Sequence, residues 1–195
     1  MLFFIFIERS DMYKYLILLI IIGFCSAGHL LTNGNFEQPL NIGWSQTIGT
    51  QGTADTIDRM LDILNNVARV KKYDATHAIL CQTVSVPTTD LEFSIAANLY
   101  AHEYNSTATY WAAAAVCLRY LDNNNVLLGE TRITYKTPHC PWTQSNTLHI
   151  ISEMFQNTWN NYSFNVNAEL ANLTGVNPID VKKIQVAIID TTNGC

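Results

Sequence analysis

The sequence predicts an all-β protein, a two-sheet antiparallel sandwich with one or two short helical segments after an N-terminal apolar leader. Several segments alternate apolar and polar side chains residue by residue, as half-buried strands do. Polar turns rich in Asn, Thr, Asp and Pro separate these segments. Charged residues make up only 14% of the 195 residues, against roughly 25% in an average soluble protein, and Asn and Thr supply much of the missing polarity.

The first 27 residues are predicted to be a signal peptide. Lys14 precedes an apolar run at residues 15–24, and Cys-Ser-Ala at 25–27 supplies small residues for cleavage before Gly28. Ten apolar residues fall short of the roughly 20 that span a bilayer. We therefore expect a protein that is secreted or located at the cell surface or in the periplasm. The alternative is an uncleaved signal anchor, which is the only way in which we expect this chain to be held at a membrane. Met12 is a more conventional start than Met1.

Residues 28–195 are predicted to form a single domain, since they contain no internal repeat and no linker. Their charge gives no sign of a nucleic-acid partner. The chain has 11 basic and 16 acidic residues and a net charge of −5, and its basic residues cluster at most in pairs. Nucleic-acid binding needs a basic surface, so we expect none.

Four cysteines follow the leader, and an even number in an exported chain permits two disulfides in one of three pairings. Cys140, in a loop flanked by prolines, and Cys195, at the terminus, are the expected pair. Cys81 and Cys117 lie in apolar strands, and for them free buried thiols are nearly as well supported as a disulfide.

Residues 56–67 fit two patterns. Apolar side chains at the helical spacing i, i+3, i+4, i+7 are Ile57, Met60, Leu61 and Leu64. Asp55, Ile57 and Arg59 also stand where a sandwich would have a strand. We predict an irregular start followed by a short helix.

Four segments are predicted strands, at residues 80–86, 91–100, 162–167 and 181–190. In the second, one face is apolar and comprises Leu91, Phe93, Ile95, Ala97 and Leu99. Its other face carries Glu92, Ser94, Asn98 and Tyr100. Residues 167–173, with Asn167 as a candidate N-cap, are predicted to form one or two helical turns.

Residues 111–121 and 126–135 are predicted to form a hairpin around an Asp-Asn-Asn-Asn turn. One face of the first strand carries Val116, Leu118 and Tyr120. Its other face carries Trp111, Ala113, Ala115, Cys117 and Arg119, a row of small side chains between a Trp and an Arg. This row is either a shallow binding trough or a surface on which another segment packs.

A trough of this kind suits a sugar, because an aromatic ring stacks on the sugar C–H face while polar groups bind its hydroxyls. Trp111 is the expected stacking residue, and Arg119, Asn98, Glu92 and Tyr100 are the expected hydrogen-bonding residues if their strands are neighbours in one sheet. Further candidates in loops are Tyr104, Tyr110 and Trp142. Trp44 and Trp159 are expected to pack in the core.

Catalytic motifs give no positive signal. The five histidines fit no metal spacing, and the sequence contains no Gly-x-Ser-x-Gly elbow, phosphate-binding loop or dinucleotide fingerprint. A glycosidase needs two facing carboxylates about 5–10 Å apart, and no pair stands out. We expect a protein that is not an enzyme.

Five segments, taken in chain order, form a recognisable pattern. Residues 31–44 hold an Asn-Gly-x-Phe-Glu turn followed by Gly-Trp, in the residues Asn33, Gly34, Phe36, Glu37, Gly43 and Trp44. A Gln-Thr-Val strand, the strand of residues 91–101, a Tyr-Leu-Asp turn and a Trp-x-x-Tyr-x-Phe strand follow. This order resembles galactose-binding-like jelly rolls, which include the CenC-type carbohydrate-binding modules.

The resemblance implies a jelly-roll sandwich that binds carbohydrate. It also implies a structural calcium ion near the opening turn, with Glu37 as a ligand. The final Asp-Asn-Val-like strand of those domains has no match, so either residues 181–190 are the last strand or the chain is part of a longer protein.

The predicted function is therefore an exported, non-catalytic binding module whose partner is a glycan or polysaccharide. The first alternative is a structural or adhesive surface module that contacts a surface protein and binds no small ligand. The second is a polysaccharide hydrolase with an unrecognised site.

Overall fold

A computed structural model describes residues 29–49, 55–62, 65–73, 75–103 and 110–193. The predicted signal peptide lies outside these residues. Within them the chain forms ten strands: β1 Ser45–Ile48, β2 Thr56–Asp62, β3 Asn65–Lys71, β4 His77–Ser85, β5 Glu92–Asn98, β6 Ala112–Leu121, β7 Leu127–Lys136, β8 Leu148–Ser152, β9 Trp159–Asn165 and β10 Lys183–Thr192. Helix α1 spans Val166–Leu170, and a 3-10 turn spans Pro178–Asp180.

The strands form the two layers of an all-β sandwich, which confirms the predicted fold class. One layer is a six-stranded sheet in the order β1-β4-β10-β6-β7-β8. The other layer consists of two separate ribbons, β2–β3 and β5–β9. Pairing is antiparallel except between β7 and β8, which run parallel. The second layer is thus two ribbons rather than one continuous sheet.

The core lies between the inner face of the six-stranded sheet and the two ribbons. Leu118 and Tyr120 of β6 and Leu80 of β4 are fully buried in it. The predicted alternation of β6 and β10 is confirmed, since Ile184 and Val186 of β10 face the core beside the even-numbered residues of β6. Trp44 is also buried, as predicted.

The predicted short helix at residues 56–67 is wrong. These residues form β2 and the beginning of β3, an antiparallel pair in which Ile57 lies opposite Val70. Both side chains pack against the core, whereas Met60 and Leu61 remain exposed near the hairpin tip. The local spacing fits a helix, but pairing with residues 65–71 satisfies the backbone of both segments and buries Ile57 and Val70 together. Residues 63 and 64 lie outside the described residues.

The hairpin of β6 and β7 is confirmed. Asp122 Oδ1 accepts hydrogen bonds from the backbone N–H groups of Asn124 at 2.7 Å and Val126 at 2.8 Å. Asn125 has φ of +65°, a left-handed conformation that Asn tolerates better than most residues.

The helical turn predicted at residues 167–173 is present as α1, but it begins earlier. Its N-cap is Asn165, whose side chain accepts hydrogen bonds from the backbone N–H groups of Asn167 and Ala168. The earlier start places Val166 and Leu170, four residues apart, in the core.

Glu169 anchors α1 to the sheet. Its buried Oε1 accepts a hydrogen bond from Thr131 Oγ1 at 2.8 Å and contacts His149 Nδ1. Asn172 Nδ2 donates to Oε2 at 3.1 Å. A buried carboxylate needs such partners, and they tie the helix to β7 and β8.

Three cysteines lie within the described residues. Cys81, Cys117 and Cys140 are free thiols. Cys195 lies outside the described residues, and with it the predicted Cys140–Cys195 disulfide. No helix in the described part of the chain is long and apolar enough to cross a membrane.

Candidate functional site

The opening turn is held together by hydrogen bonds to Asn33. Its carbonyl oxygen accepts from Trp44 Nε1 and from the backbone N–H of Phe36, both at 3.2 Å. Its side-chain oxygen accepts from the backbone N–H of Gln38 at 2.9 Å. The rings of Phe36 and Trp44 lie 5.2 Å apart. These contacts give the turn a structural role at the start of the domain.

The residues around Glu37 do not fit a calcium ion. The Glu37 side chain is exposed, and its carbonyl oxygen accepts a hydrogen bond from Arg59 Nη1. A guanidinium at that oxygen occupies the side from which a cation would bind. No group of three or more His, Cys, Asp or Glu side chains able to hold a metal occurs among the described residues.

Arg119 lies in a row of polar side chains across the outer face of the six-stranded sheet. Arg119 Nη1 donates to Gln185 Oε1 at 3.0 Å, and Arg119 Nε lies 3.4 Å from Glu130 Oε1. Arg132 Nη2 contacts the other oxygen, Glu130 Oε2, at 2.9 Å. Burial alone would raise the pKa of Glu130, but its hydrogen bond and charge interaction with Arg132, together with contributions from Cys117 and Arg119, lower it. Arg119 is thus committed to contacts within the protein.

The loop after β7 packs on this face through Trp142. The Arg132 guanidinium carbon lies 4.2 Å from the centre of the Trp142 ring, and the Trp111 and Trp142 rings lie 6.1 Å apart. Lys136 Nζ donates to the Trp142 carbonyl oxygen at 2.7 Å. Trp142 also packs against the cluster that contains Ala115 and Cys117, both fully buried. The small side chains of β6 therefore receive another segment, as one of the two sequence interpretations proposed.

The structure does not bring Asn98, Tyr100 and Glu92 to Trp111 and Arg119. The sequence interpretation required that their strands be neighbours in one sheet. Instead β5 pairs with β9 in the other layer of the sandwich, while β6 lies between β10 and β7.

The outer face of the β5–β9 ribbon carries these predicted polar residues, with Asn98 beside Trp159 at one end and Glu92 at the other. Asn98 pairs with Trp159, Ala96 with Asn161, Ser94 with Ser163, and Glu92 with Asn165. We call these eight side chains the polar ribbon face. Trp159 is 42% exposed and Tyr100, just beyond the end of β5, is 48% exposed.

Hydrogen bonds orient both ends of the polar ribbon face. Trp159 Nε1 donates to Asp62 Oδ2 at 2.7 Å, which links this ribbon to the β2–β3 hairpin. At the other end Asn165 Nδ2 donates to Asp90 Oδ1 at 2.8 Å and to Glu92 Oε1 at 3.2 Å. The indole is therefore held by Asp62 while the side chain stays partly exposed.

Trp159 corrects the sequence interpretation, which placed it in the core. The signal was available in the alternation of β9, since Tyr162 and Phe164 face the core and the odd-numbered residues Asn161 and Ser163 face outward. Trp159 has the same parity as the outward residues. The sequence interpretation relied instead on the general preference of tryptophan for buried positions. Trp159 does not follow that preference in the structure.

The predicted loop candidates are scattered. Tyr110 is 42% exposed and directly precedes Trp111. Trp142 is half-buried in the contacts described above. Tyr104 lies outside the described residues.

No family model matches this chain, and no curated protein matches it. The resemblance to CenC-type modules therefore stays a prediction from its motifs. The chemistry of the polar ribbon face is the remaining basis for a function.

Proposed function

We propose that this protein is an exported, non-catalytic module that binds carbohydrate on its polar ribbon face. The observation that carries the proposal is Trp159, a large aromatic side chain left exposed and oriented by Asp62 beside Asn98 and Asn161. A buried position would have been the default for Trp. An exposed, oriented indole among amide side chains offers a sugar both a stacking surface and hydrogen-bonding groups.

The side-chain chemistry matches a neutral, hydroxyl-rich ligand. An indole offers an apolar face to the C–H groups of a sugar ring, while an amide offers both a donor and an acceptor to its hydroxyls. Asn98 and Asn161 are exposed next to Trp159. Tyr100 stacks on His102, with ring centres 6.5 Å apart, and adds a second exposed aromatic ring at the end of β5. The ligand site is therefore a shallow surface.

The test is glycan-array binding of the purified domain and of the variant Trp159→Ala. We expect the variant to lose at least about tenfold in affinity, as removal of a central interface aromatic does. Tyr110→Ala is the matched control, because Tyr110 has the same fractional exposure, 42%, and lies beside β6. Equal glycan binding by wild type and Trp159→Ala would overturn the assignment of this face.

One observation favours the alternative of a surface module that contacts protein. Met154 and Phe155, in the loop before β9, are 80% and 68% exposed, and Leu61 at the β2–β3 hairpin is 66% exposed. Exposed apolar side chains of this size favour protein contact. Absence of binding to every glycan, together with self-association in analytical ultracentrifugation, would establish this alternative.

A second observation bears on the hydrolase alternative. Asp90 and Glu92 both accept a hydrogen bond from Asn165 Nδ2, so they form a close carboxylate pair. Both side chains are exposed to solvent, whereas a glycosidase general acid is held in an apolar environment. If the protein released reducing sugar from a bound polysaccharide and Glu92→Gln lost this activity, the binding-module proposal would be wrong.

A further inference from the structure

A cleft of about 840 Å³ separates the two ribbons of the second layer. Its floor is the core face of the six-stranded sheet, where Val116, Val186 and Ile188 line it. Residues 93–99, along β5, form one wall, and residues 65–68 of β3 form the opposite wall. Among the described residues no strand pairing joins β5 to β3, so the cleft opens between the two ribbons, which the Trp159–Asp62 hydrogen bond links.

The cleft has the properties of a ligand site for an apolar group. Its volume falls in the range of roughly 300–1,000 Å³ that ligand pockets occupy. Its inner lining is apolar and includes Phe36, Phe93, Ile95 and Ala68. Tyr162 also lines it, and the Tyr162 hydroxyl oxygen is buried with no hydrogen-bond partner among the described residues. Because that oxygen has almost no accessible surface, Tyr162 presents its ring rather than its hydroxyl to a ligand in the cleft.

The cleft is continuous with the polar ribbon face. Six residues of that face also line the cleft: Ser94, Ala96, Asn98, Trp159, Asn161 and Ser163. A ligand on the face would therefore lie within reach of the cleft mouth. The polar face and the apolar cleft together match one amphipathic molecule.

We propose that the ligand is a glycan attached to an apolar chain, as in a glycolipid, with the sugar on the polar ribbon face and the chain in the cleft. This inference rests on the proposed carbohydrate function and names the class of carbohydrate. The apolar chain packs against Ala68, Ile95 and Ile188, which line the cleft and are only partly buried.

The experiment compares β-D-glucosides and β-D-galactosides that carry methyl, butyl, hexyl or octyl chains, each below its micelle-forming concentration, by isothermal titration calorimetry. Burial of a methylene group contributes about 0.8 kcal/mol, so affinity should rise about fourfold for each buried methylene. Octyl glycosides that bind no more tightly than methyl glycosides, or that do not bind, would overturn the inference.

Two variants assign the effect. Ala68→Phe fills the cleft and should remove the dependence on chain length, whereas Ala168→Phe, on the exposed surface of α1, should keep it. Cooperative thermal unfolding of each variant shows that it is folded.

The outcomes separate this inference from the proposed function. Glycan-array binding that Trp159→Ala abolishes, with no effect of chain length, would refute the cleft and leave the carbohydrate function standing. Binding of octanol as tight as that of octyl glycosides, unaffected by Trp159→Ala, would refute a shared ligand. Loss of octyl glycoside binding in both Trp159→Ala and Ala68→Phe is the result expected.

Discussion

Asp190 is a single residue whose environment makes the stability of the protein depend on pH. It lies on β10, and burial raises the pKa of its carboxyl group to about 6, from an ordinary value of 3.8. The backbone N–H of Lys72, which donates to Asp190 Oδ2 at 2.9 Å, offsets this only in part. The folded protein thus holds a proton on Asp190 at pH values where the unfolded chain has lost it.

The sign of the effect follows from this difference. Asp190 contributes stability that is fully present below pH 3.8 and is lost as pH rises through about 6. We expect Asp190→Asn, which keeps an acceptor for Lys72, to flatten the wild-type loss between these pH values, a difference of at most about 3 kcal/mol. Urea unfolding of both proteins across this range measures it. Parallel stability curves would show that Asp190 is not the group responsible.

The N-cap of α1 gives a prediction at the scale of one element. Asn165, rather than Asn167, caps the helix. Asn165→Ala should cost about 1–2 kcal/mol, because it removes the acceptor of two backbone N–H groups at the helix start. Asn167→Ala is the control and should cost less than about 0.5 kcal/mol, since its side chain accepts only from Thr89 Oγ1 in an exposed contact. Chemical denaturation measures both, and the reverse order would place the cap at Asn167.

The loop that carries Trp142 is the second element with a testable role. Trp142 stacks on Arg132 and packs against the cluster that contains Cys117. A double-mutant cycle of Trp142→Ala and Arg132→Met should give a coupling energy of about 1 kcal/mol, as a partly buried cation–π contact does. Additive effects would show that the two side chains do not interact.

The same loop controls access to Cys117. The thiol is fully buried, and burial raises its pKa well above the ordinary value, so both accessibility and thiolate content limit its reaction. Trp142→Ala should increase the rate at which iodoacetamide labels Cys117, followed by peptide mass spectrometry. Labelling of Cys81, which is already partly exposed, serves as the internal control. An unchanged ratio of the two rates would mean that the loop does not cover Cys117.

At the scale of the whole molecule, the salt dependence of binding distinguishes a neutral ligand from a charged one. The chain carries a net charge of −5, and the polar ribbon face holds one carboxylate, Glu92, which Asn165 already binds. Binding of a neutral glycan should therefore change by less than about twofold between roughly 0.05 M and 0.5 M sodium chloride, because screening acts only on charged partners. A steep loss of affinity with added salt would indicate a cationic ligand and count against the carbohydrate proposal.

Local pattern predicted much of this fold. In β6 the alternation separated Val116, Leu118 and Tyr120 from Cys117 and Arg119, and the structure places these two sets on opposite faces. The turn at Asp122 was equally readable, because its side chain supplies the hydrogen bonds that the turn needs. The odd numbering of Trp159 within β9 also indicated an outward-facing side chain. The prediction of a buried position followed the general preference of tryptophan instead.

The sequence did not predict which strands pair with each other. Asn98 and Arg119 both lie on exposed-facing positions of their strands, yet β5 joins β9 and β6 joins β10 and β7. Residues 56–62 had a helical spacing of apolar side chains, and pairing with β3 drew them into a ribbon. Such outcomes depend on contacts between residues far apart in the chain.

The sequence by itself determined the all-β class, the faces of most strands, the turn of the β6–β7 hairpin and the low charge of the surface. The strand faces follow from backbone geometry, since a strand turns successive side chains to opposite faces whatever its partner, and the low charge follows from composition. Only the tertiary structure decided which strands pair, that Trp142 packs on the β6 row, and that Asn98 and Glu92 share one ribbon face with Trp159. The physical reason is that similar alternating strands can pair in many orders, and the energy that selects one order comes from packing across the whole core.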